Sequence, residues 1–425
     1  MYFVHDGRFL FKGGIMKIFL LSAHQVLDFT CHKTYQRYIQ QANQLEKVQR
    51  NKLKVFLGQH ISQNLSYEQF TKKFPLTRYG DWKSKIEQAH STGKNTLGPS
   101  KIIRFQLSSA SSEAIQFIPY TQLFLDELDA AIGFWLSHVY CEYPQLKKST
   151  HYWAVPWLAE SQSKFLENSS LNDKRGLRNL SKGVLNKITQ SVPSEIALAS
   201  SVDDALFATA TYLVADKRLG MIAVWSPTTA LQLLDMIQQF QDEIVQVLKS
   251  GKWMREGLNF LDVPKSCEQC YKLQQLNLTE PSAWKKLWPK LSLISTWDTA
   301  SAPQWIEQLQ QRIDGVAFAE KGLWTTEGVV TIPFTDRFPL SYQSHFYEFL
   351  LQESNQVVPS WQLKLGDIVS PVITTGSGLI RYVMHDELEV TDFYQQIPCF
   401  QLLERKMTVN LAEENLITMQ RCGQL

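Results

Sequence analysis

From Thr34 to about Ile61, apolar side chains recur among polar ones at Tyr38, Ile39, Ala42, Leu45, Val48, Leu53, Phe56 and Leu57. That spacing predicts one long amphipathic helix. Ser66 opens a second, with Glu68 and Gln69 supplying a polar first turn, and Phe74-Pro75 ends it. Farther on, strand and helix patterns alternate. His151 to Pro156 reads as a short strand, Asp203 to Lys217 as a helix, and Leu219 to Trp225 as a buried strand stopped by Ser226-Pro227. Thr228 to Leu248 predicts a helix with Leu231, Leu234, Ile237 and Ile244 inward. Leu291 to Thr296, Trp305 to Arg312 and Gly315 to Ala319 continue as strand, helix, strand. Alternation of this kind marks an α/β fold with a largely parallel sheet flanked by helices. After Glu327 the period changes. Val329 to Phe334, Ile368 to Thr374, Leu379 to Val383 and Glu387 to Thr391 read as strands joined by turns, so a β-rich subdomain closes the chain.

Composition narrows the class. A chain of 425 residues fits two or three domains, at about 150 residues each. With 44% hydrophobic and 20% charged residues it can bury large cores. A formal net charge of +2 argues against a nucleic-acid partner. No stretch approaches the roughly 18 apolar residues of a membrane helix, so no membrane partner is expected. Lys17 followed by Ile18 to Leu21 is too short an apolar core for a signal peptide. The expected location is cytoplasmic, and Met16 is a second candidate start beside Met1. The six cysteines are too sparse for a disulfide framework. Cys267-Glu-Gln-Cys270 has redox or half-zinc spacing, but no second pair or nearby histidine accompanies it, so it reads as two unrelated cysteines.

Chemistry concentrates around Leu107 to Thr121, LSSASSEAIQFIPYT. Ser108, Ser109, Ser111 and Ser112 follow the apolar run Ile102-Ile103-Arg104-Phe105, and an amphipathic pattern begins at Leu123. The order predicted is strand, small-residue loop, helix. Hydroxyls and backbone N–H groups in such a loop make an anion cradle. The plainer reading is a serine-rich turn capping a helix. Two later stretches stand beside it: KGLWTTEGVVTIPF, Lys321 to Phe334, and TTGSGLIRYVMHDELEVTDFY, Thr374 to Tyr394, followed by FQLLERK to Lys406. Singly, Thr326-Glu327 could close a strand end, Asp386 could serve a turn, and Arg405 could form a surface ion pair.

In this order and spacing the three stretches resemble the auxin-responsive Gretchen Hagen family of acyl-acid amido synthetases, in its bacterial branch. That family sits in the adenylate-forming superfamily with acyl-CoA synthetases and luciferases. The likeness runs from about Gln36 and takes in PLTRYGDW at Pro75, HYWAVP at His151, VWSPT at Val224, LWPKLSLISTW at Leu287 and SHFYEF at Ser344. It implies an acid–amino acid ligase that uses ATP and magnesium to turn a small carboxylic acid into an acyl-adenylate, which an amine or amino acid then attacks.

The resemblance also assigns roles. Ser108, Ser109, Ser111 and Ser112 match the phosphate loop, and Thr326 a residue facing the α-phosphate. Glu327 matches the carboxylate that holds magnesium. Leu323 and Trp324 would lie beside the adenine, Asp386 would bind the ribose, and Arg405 would stand at the hinge. The implied layout is a lead-in over residues 1–33, an adenylate-forming α/β body over 34–367, a β subdomain and hinge over 368–406, and a tail over 407–425 where a C-terminal lid domain would begin. A separately encoded lid is then a further partner.

The chain also departs from the pattern. Ala110 and Glu113 replace loop glycines, Gln116 a lysine, His385 a glycine, Glu404 a hinge glycine and Asn415 a lysine. Glu113 beside a polyanion would repel it by about 4 kcal/mol at about 4 Å and an effective dielectric of about 20. Three readings therefore stand open: a weakened ligase, a catalytically degenerate member kept for binding or regulation, or a truncated relic.

Overall fold

The computed structural model describes residues 28–108, 116–154, 191–224, 226–296 and 303–403. The polar run from Lys164 to Lys182 lies outside them.

Residues 28–41 form helix α1, and Leu45–His60 form α2. The single helix expected over this span is broken by a 3-10 turn at Ala42–Gln44. There the Ala42 carbonyl accepts from Gln396 N–H at 3.3 Å, so the break docks the helices on the C-terminal sheet. Helix α3, Tyr67–Lys73, starts at Ser66 as expected, with a capping box closed by Gln69. Helix α4 covers Tyr79–Thr92 and ends on Gly93 at φ 68°, a left-handed C-cap.

Strand β1, Ile102–Ser108, does not lead through a loop straight into a helix. Gln116–Thr121 form a second strand, β2, antiparallel to β1, and helix α5 (Gln122–Glu142) begins after it. Thr121 makes the junction: its Oγ1 accepts from Phe124 N–H at 3.2 Å and donates to the Gly376 carbonyl at 2.7 Å.

A four-stranded parallel sheet follows, in the order β3 (Thr150–Trp153), β4 (Leu219–Ala223), β5 (Leu293–Thr296), β6 (Ala317–Glu320). Its continuous apolar runs are explained by burial on both faces. Met221, Ala223 and Leu293 meet Trp135, Leu136 and Val139 of α5 on one side. Ile222 and Ile294 face the other, where helices α6 (Val202–Ala215), α7 (Pro227–Gln239), α8 (Gln241–Ser250), α9 (Cys267–Gln275), α10 (Pro281–Leu287) and α11 (Pro303–Arg312) build a second core. The helix expected from Thr228 to Leu248 is thus two, parted at Phe240, whose ring turns edge-on to Phe207.

The C-terminal sheet is antiparallel. Its order is β12 (Ile397–Leu402), β11 (Leu388–Tyr394), β9 (Ile368–Thr374), β7 (Phe346–Leu351), β8 (Val357–Pro359), with β10 (Tyr382–Val383) paired to β9. Together with α1–α5 it encloses the largest core. Val329–Phe334, expected as a strand, makes only isolated bridges. Thr335 and Asp336, at φ 46° and 58°, turn the chain back so that Phe334 and Arg337 exchange both backbone hydrogen bonds.

Candidate active site

The site is built around the turn Thr325–Gly328, between the parallel sheet and the antiparallel one. Thr325 N–H donates to the Gly328 carbonyl at 2.9 Å, and Glu327 N–H to Thr325 Oγ1 at 3.2 Å. Thr326 Oγ1 donates to Glu327 Oε2 at 2.8 Å, which aims the carboxylate. The hairpin holds this turn from one side: Tyr120 OH donates to the Thr326 carbonyl at 3.1 Å.

Helix α5 holds it from the other. Val329 N–H donates to His345 Nε2 at 3.2 Å, which makes Nε2 the acceptor and puts the ring proton on Nδ1. His345 Nδ1 in turn donates to Glu127 Oε2 at 2.7 Å, and the same oxygen accepts Gly376 N–H at 2.9 Å. Gly376 is required at this spot: a Cβ there would lie 2.7 Å from Leu123 C and Phe124 N, the backbone of the first turn of α5.

Three phenols from three elements sense the Glu327 carboxylate. Burial pushes Tyr120 up to about 12, with Glu327 adding to the rise and Arg104 opposing it. Burial also raises Tyr79 and Tyr382, and Glu327 contributes to both. Tyr79 of α4, Tyr120 of β2 and Tyr382 of β10 thus all lie within electrostatic reach of Glu327. Lys321, near the start of the same loop, donates to the Val224 carbonyl at 3.0 Å, and burial lowers it to about 7.

The residues singled out in the sequence are distributed as follows. Thr326 and Glu327 form the turn itself. Leu323 is buried and Trp324 half-buried just before it; the Trp324 Nε1 proton is enclosed without a hydrogen-bond partner. Asp386 is half-buried in the connection between β10 and β11. Ser108 ends β1 opposite Gln116, whereas Ser109, Ser111, Ser112 and Arg405 lie outside the described residues. Sequence reasoning passed over Arg104, Tyr120, Glu127 and His345 as site residues. Of these only Arg104 carried a local signal, a charge inside an apolar strand. No group of three metal-ligating side chains occurs among the described residues. A lone carboxylate does suit magnesium, which takes one or two carboxylates and completes its shell with water and phosphate oxygens.

The GH3 family N-terminal domain model matches residues 27–318, and the GH3 family central domain model matches 338–405. The chain belongs to the GH3 family. Among Arabidopsis thaliana relatives, the indole-3-acetic acid-amido synthetase GH3.15 is 30% identical over 144 residues, 29% of this GH3 chain and 24% of its own length. The indole-3-acetic acid-amido synthetase GH3.10 is 27% identical over 161 residues, 32% of this chain and 27% of its own. The 4-substituted benzoates-glutamate ligase GH3.12 is 28% identical over 135 residues, 29% and 24% of the two chains. These alignments therefore span about a quarter of the relatives' lengths. The fold agrees more widely. A structure of the GH3.15 acyl acid amido synthetase superposes with a TM-score of 0.68 at 17% identity, covering 87% of this chain and 69% of that one. Its complex with 2,4-DB gives 0.67 at 18% identity, covering 95% and 74%.

Proposed function

We propose that this GH3 chain is an ATP-dependent acid–amino acid ligase that works through an acyl-adenylate. In the first step a carboxylate oxygen of the acid attacks the α-phosphorus of ATP; the new P–O bond replaces the bond to pyrophosphate, which leaves. In the second, an amine attacks the acyl carbonyl, AMP leaves, and the amine gives up a proton. The single observation that supports this best is the Thr326–Glu327 turn, gripped by Tyr120 on one side and by the His345–Glu127 pair on the other. Attack of one anion on another requires preorganised donors and a charged metal ligand at a fixed place.

In this reading Glu327 would hold magnesium, and the metal would supply charge neutralisation at the α-phosphate. Thr326 orients that carboxylate. Leu323 and Trp324 flank the adenine, Asp386 takes the ribose hydroxyls, the serine-rich loop contacts phosphates, and Arg405 binds the nucleotide from the hinge. The relatives' names and the 2,4-DB complex support a small carboxylic acid and an amino acid as substrates. The test is acid-dependent exchange of labelled pyrophosphate into ATP with magnesium present, which Glu327→Gln should abolish.

A second reading has its own observation. By the resemblance, Glu113 and Gln116 stand at sequence positions where the family's phosphate loop carries a glycine and a lysine, which favours a member that binds nucleotide or acid without turning it over. ATP binding without exchange across a broad panel of acids would select it.

A further inference from the structure

The β1–β2 hairpin has two unlike faces. Phe105 and Phe117 lie on one, where they close on His90 of α4 at ring distances of 4.8 and 4.3 Å. The cross-strand pairs Arg104–Tyr120 and Gln106–Ile118 lie on the other. Arg104 is the one cation of those four residues. Its guanidinium carbon lies 4.9 Å from the centre of the Tyr120 ring, and it is the Tyr120 hydroxyl that reaches the Thr326 carbonyl. One side chain therefore spaces this cation from the Glu327 turn.

Arg104 Nε is enclosed without a hydrogen-bond partner. Other sheltered guanidiniums of the chain are answered by carboxylates: Arg381 by both oxygens of Glu348, Arg255 by Glu243 and Asp203. Arg104 has no such partner among the described residues. Burial pulls its affinity for the proton down, yet a guanidinium keeps its charge. A half-buried cation that no described carboxylate answers is free to take up an anion from outside, which would offset the cost of enclosing its charge.

We propose that Arg104 is the phosphate-holding cation of this face, binding the polyphosphate of the nucleotide beside the Thr326–Glu327 turn. This rests on the ligase reading, in which ATP is the most highly charged ligand. The planar fork of a guanidinium matches two phosphate oxygens at once, and Tyr120 fixes the fork from beneath.

The test titrates ATP, adenosine and inorganic pyrophosphate by calorimetry into the full chain and into its Arg104→Gln and Arg104→Lys variants, with a thermal melt of each free protein. Arg104→Gln should weaken ATP and pyrophosphate by about tenfold or more and leave adenosine within about twofold; Arg104→Lys should recover part of the loss. The free Arg104→Gln protein should melt at or above the wild-type temperature, because a partly enclosed charge that no described carboxylate answers has gone. Equal ATP affinity in wild type and Arg104→Gln overturns the proposal and leaves the nucleotide reading standing. A wild type that binds neither ATP nor adenosine removes both. Parallel loss of ATP and adenosine, or a lower melting temperature in Arg104→Gln, would make Arg104 a structural residue and also overturn the proposal.

Discussion

His345 Nδ1 and Glu127 Oε2 stand 2.7 Å apart, and through this pair helix α5 holds the Thr326–Glu327 turn in place. The imidazole is fully buried, and Glu127 also takes the Gly376 N–H, so one carboxylate oxygen secures two loops at once. Glu127→Ala leaves both donors enclosed without an acceptor and should cost about 2–3 kcal/mol in urea unfolding. Glu127→Gln, which keeps an acceptor oxygen, should cost less than half as much. Equal losses in the two variants would show that packing, and not the shared oxygen, sets the stability here.

Gly328 closes the same turn under tight sterics. A Cβ at this position would lie 2.9 Å from His345 Nε2 and 3.1 Å from Ile373 Cδ1. The imidazole cannot move aside without releasing Glu127. Gly328→Ala should therefore destabilise the chain by about 1–3 kcal/mol, and it should weaken ATP binding in the same preparation. A variant as stable as wild type would mean that the turn has slack the structure does not suggest.

Lys321 gives a pH signature. Burial lowers it from 10.5 to about 7, so the unfolded chain binds its proton across that interval while the folded chain does not. By linkage, stability attributable to this residue rises with pH between about 7 and 10.5 and is lowest below that window. Lys321→Met should flatten the rise. With allowance for its partial exposure, the gain relative to wild type below pH 7 should be on the order of 2 kcal/mol, shrinking as pH increases. Parallel stability–pH curves for the two proteins would contradict the shift.

Nucleotide affinity should be modest. If the serine-rich loop holds phosphate as proposed, Glu113 and Gln116 should weaken its grip, and ATP is then expected to bind in the high micromolar range or worse, near about −5 kcal/mol. Replacing Glu113 by Gly together with Gln116 by Lys should strengthen ATP binding while leaving adenosine unaffected. Calorimetry returning a wild-type dissociation constant below about 1 μM would show that the loop is not compromised.

Much of this fold was legible where one physical requirement dominated a segment. Leu219–Ala223 is apolar throughout because both faces of β4 are covered, and Ser66 announced α3 through its cap. The hairpin was not legible: Gln116–Thr121 is six residues long and contains Pro119, and its strand character comes from pairing with β1. Strand β7 hid behind Glu348, a charge that is tolerated in a buried strand only because Arg381 and Tyr67 meet it. The candidate site shows the same division. Thr326 and Glu327 stand in a recognisable motif. The Tyr120–Thr326 contact joins residues 206 apart, and nothing local in either sequence announces it.

The most direct measurement is magnesium-dependent exchange of labelled pyrophosphate into ATP, run with benzoates, indole acids and fatty acids as the acid. Exchange that requires the acid, disappears in Glu327→Gln and persists with raised ATP demand in Asp386→Ala is the predicted result. Exchange that survives in Glu327→Gln, or its absence for every acid together with no detectable binding of ATP, would contradict an adenylate-forming site at the Thr326–Glu327 turn.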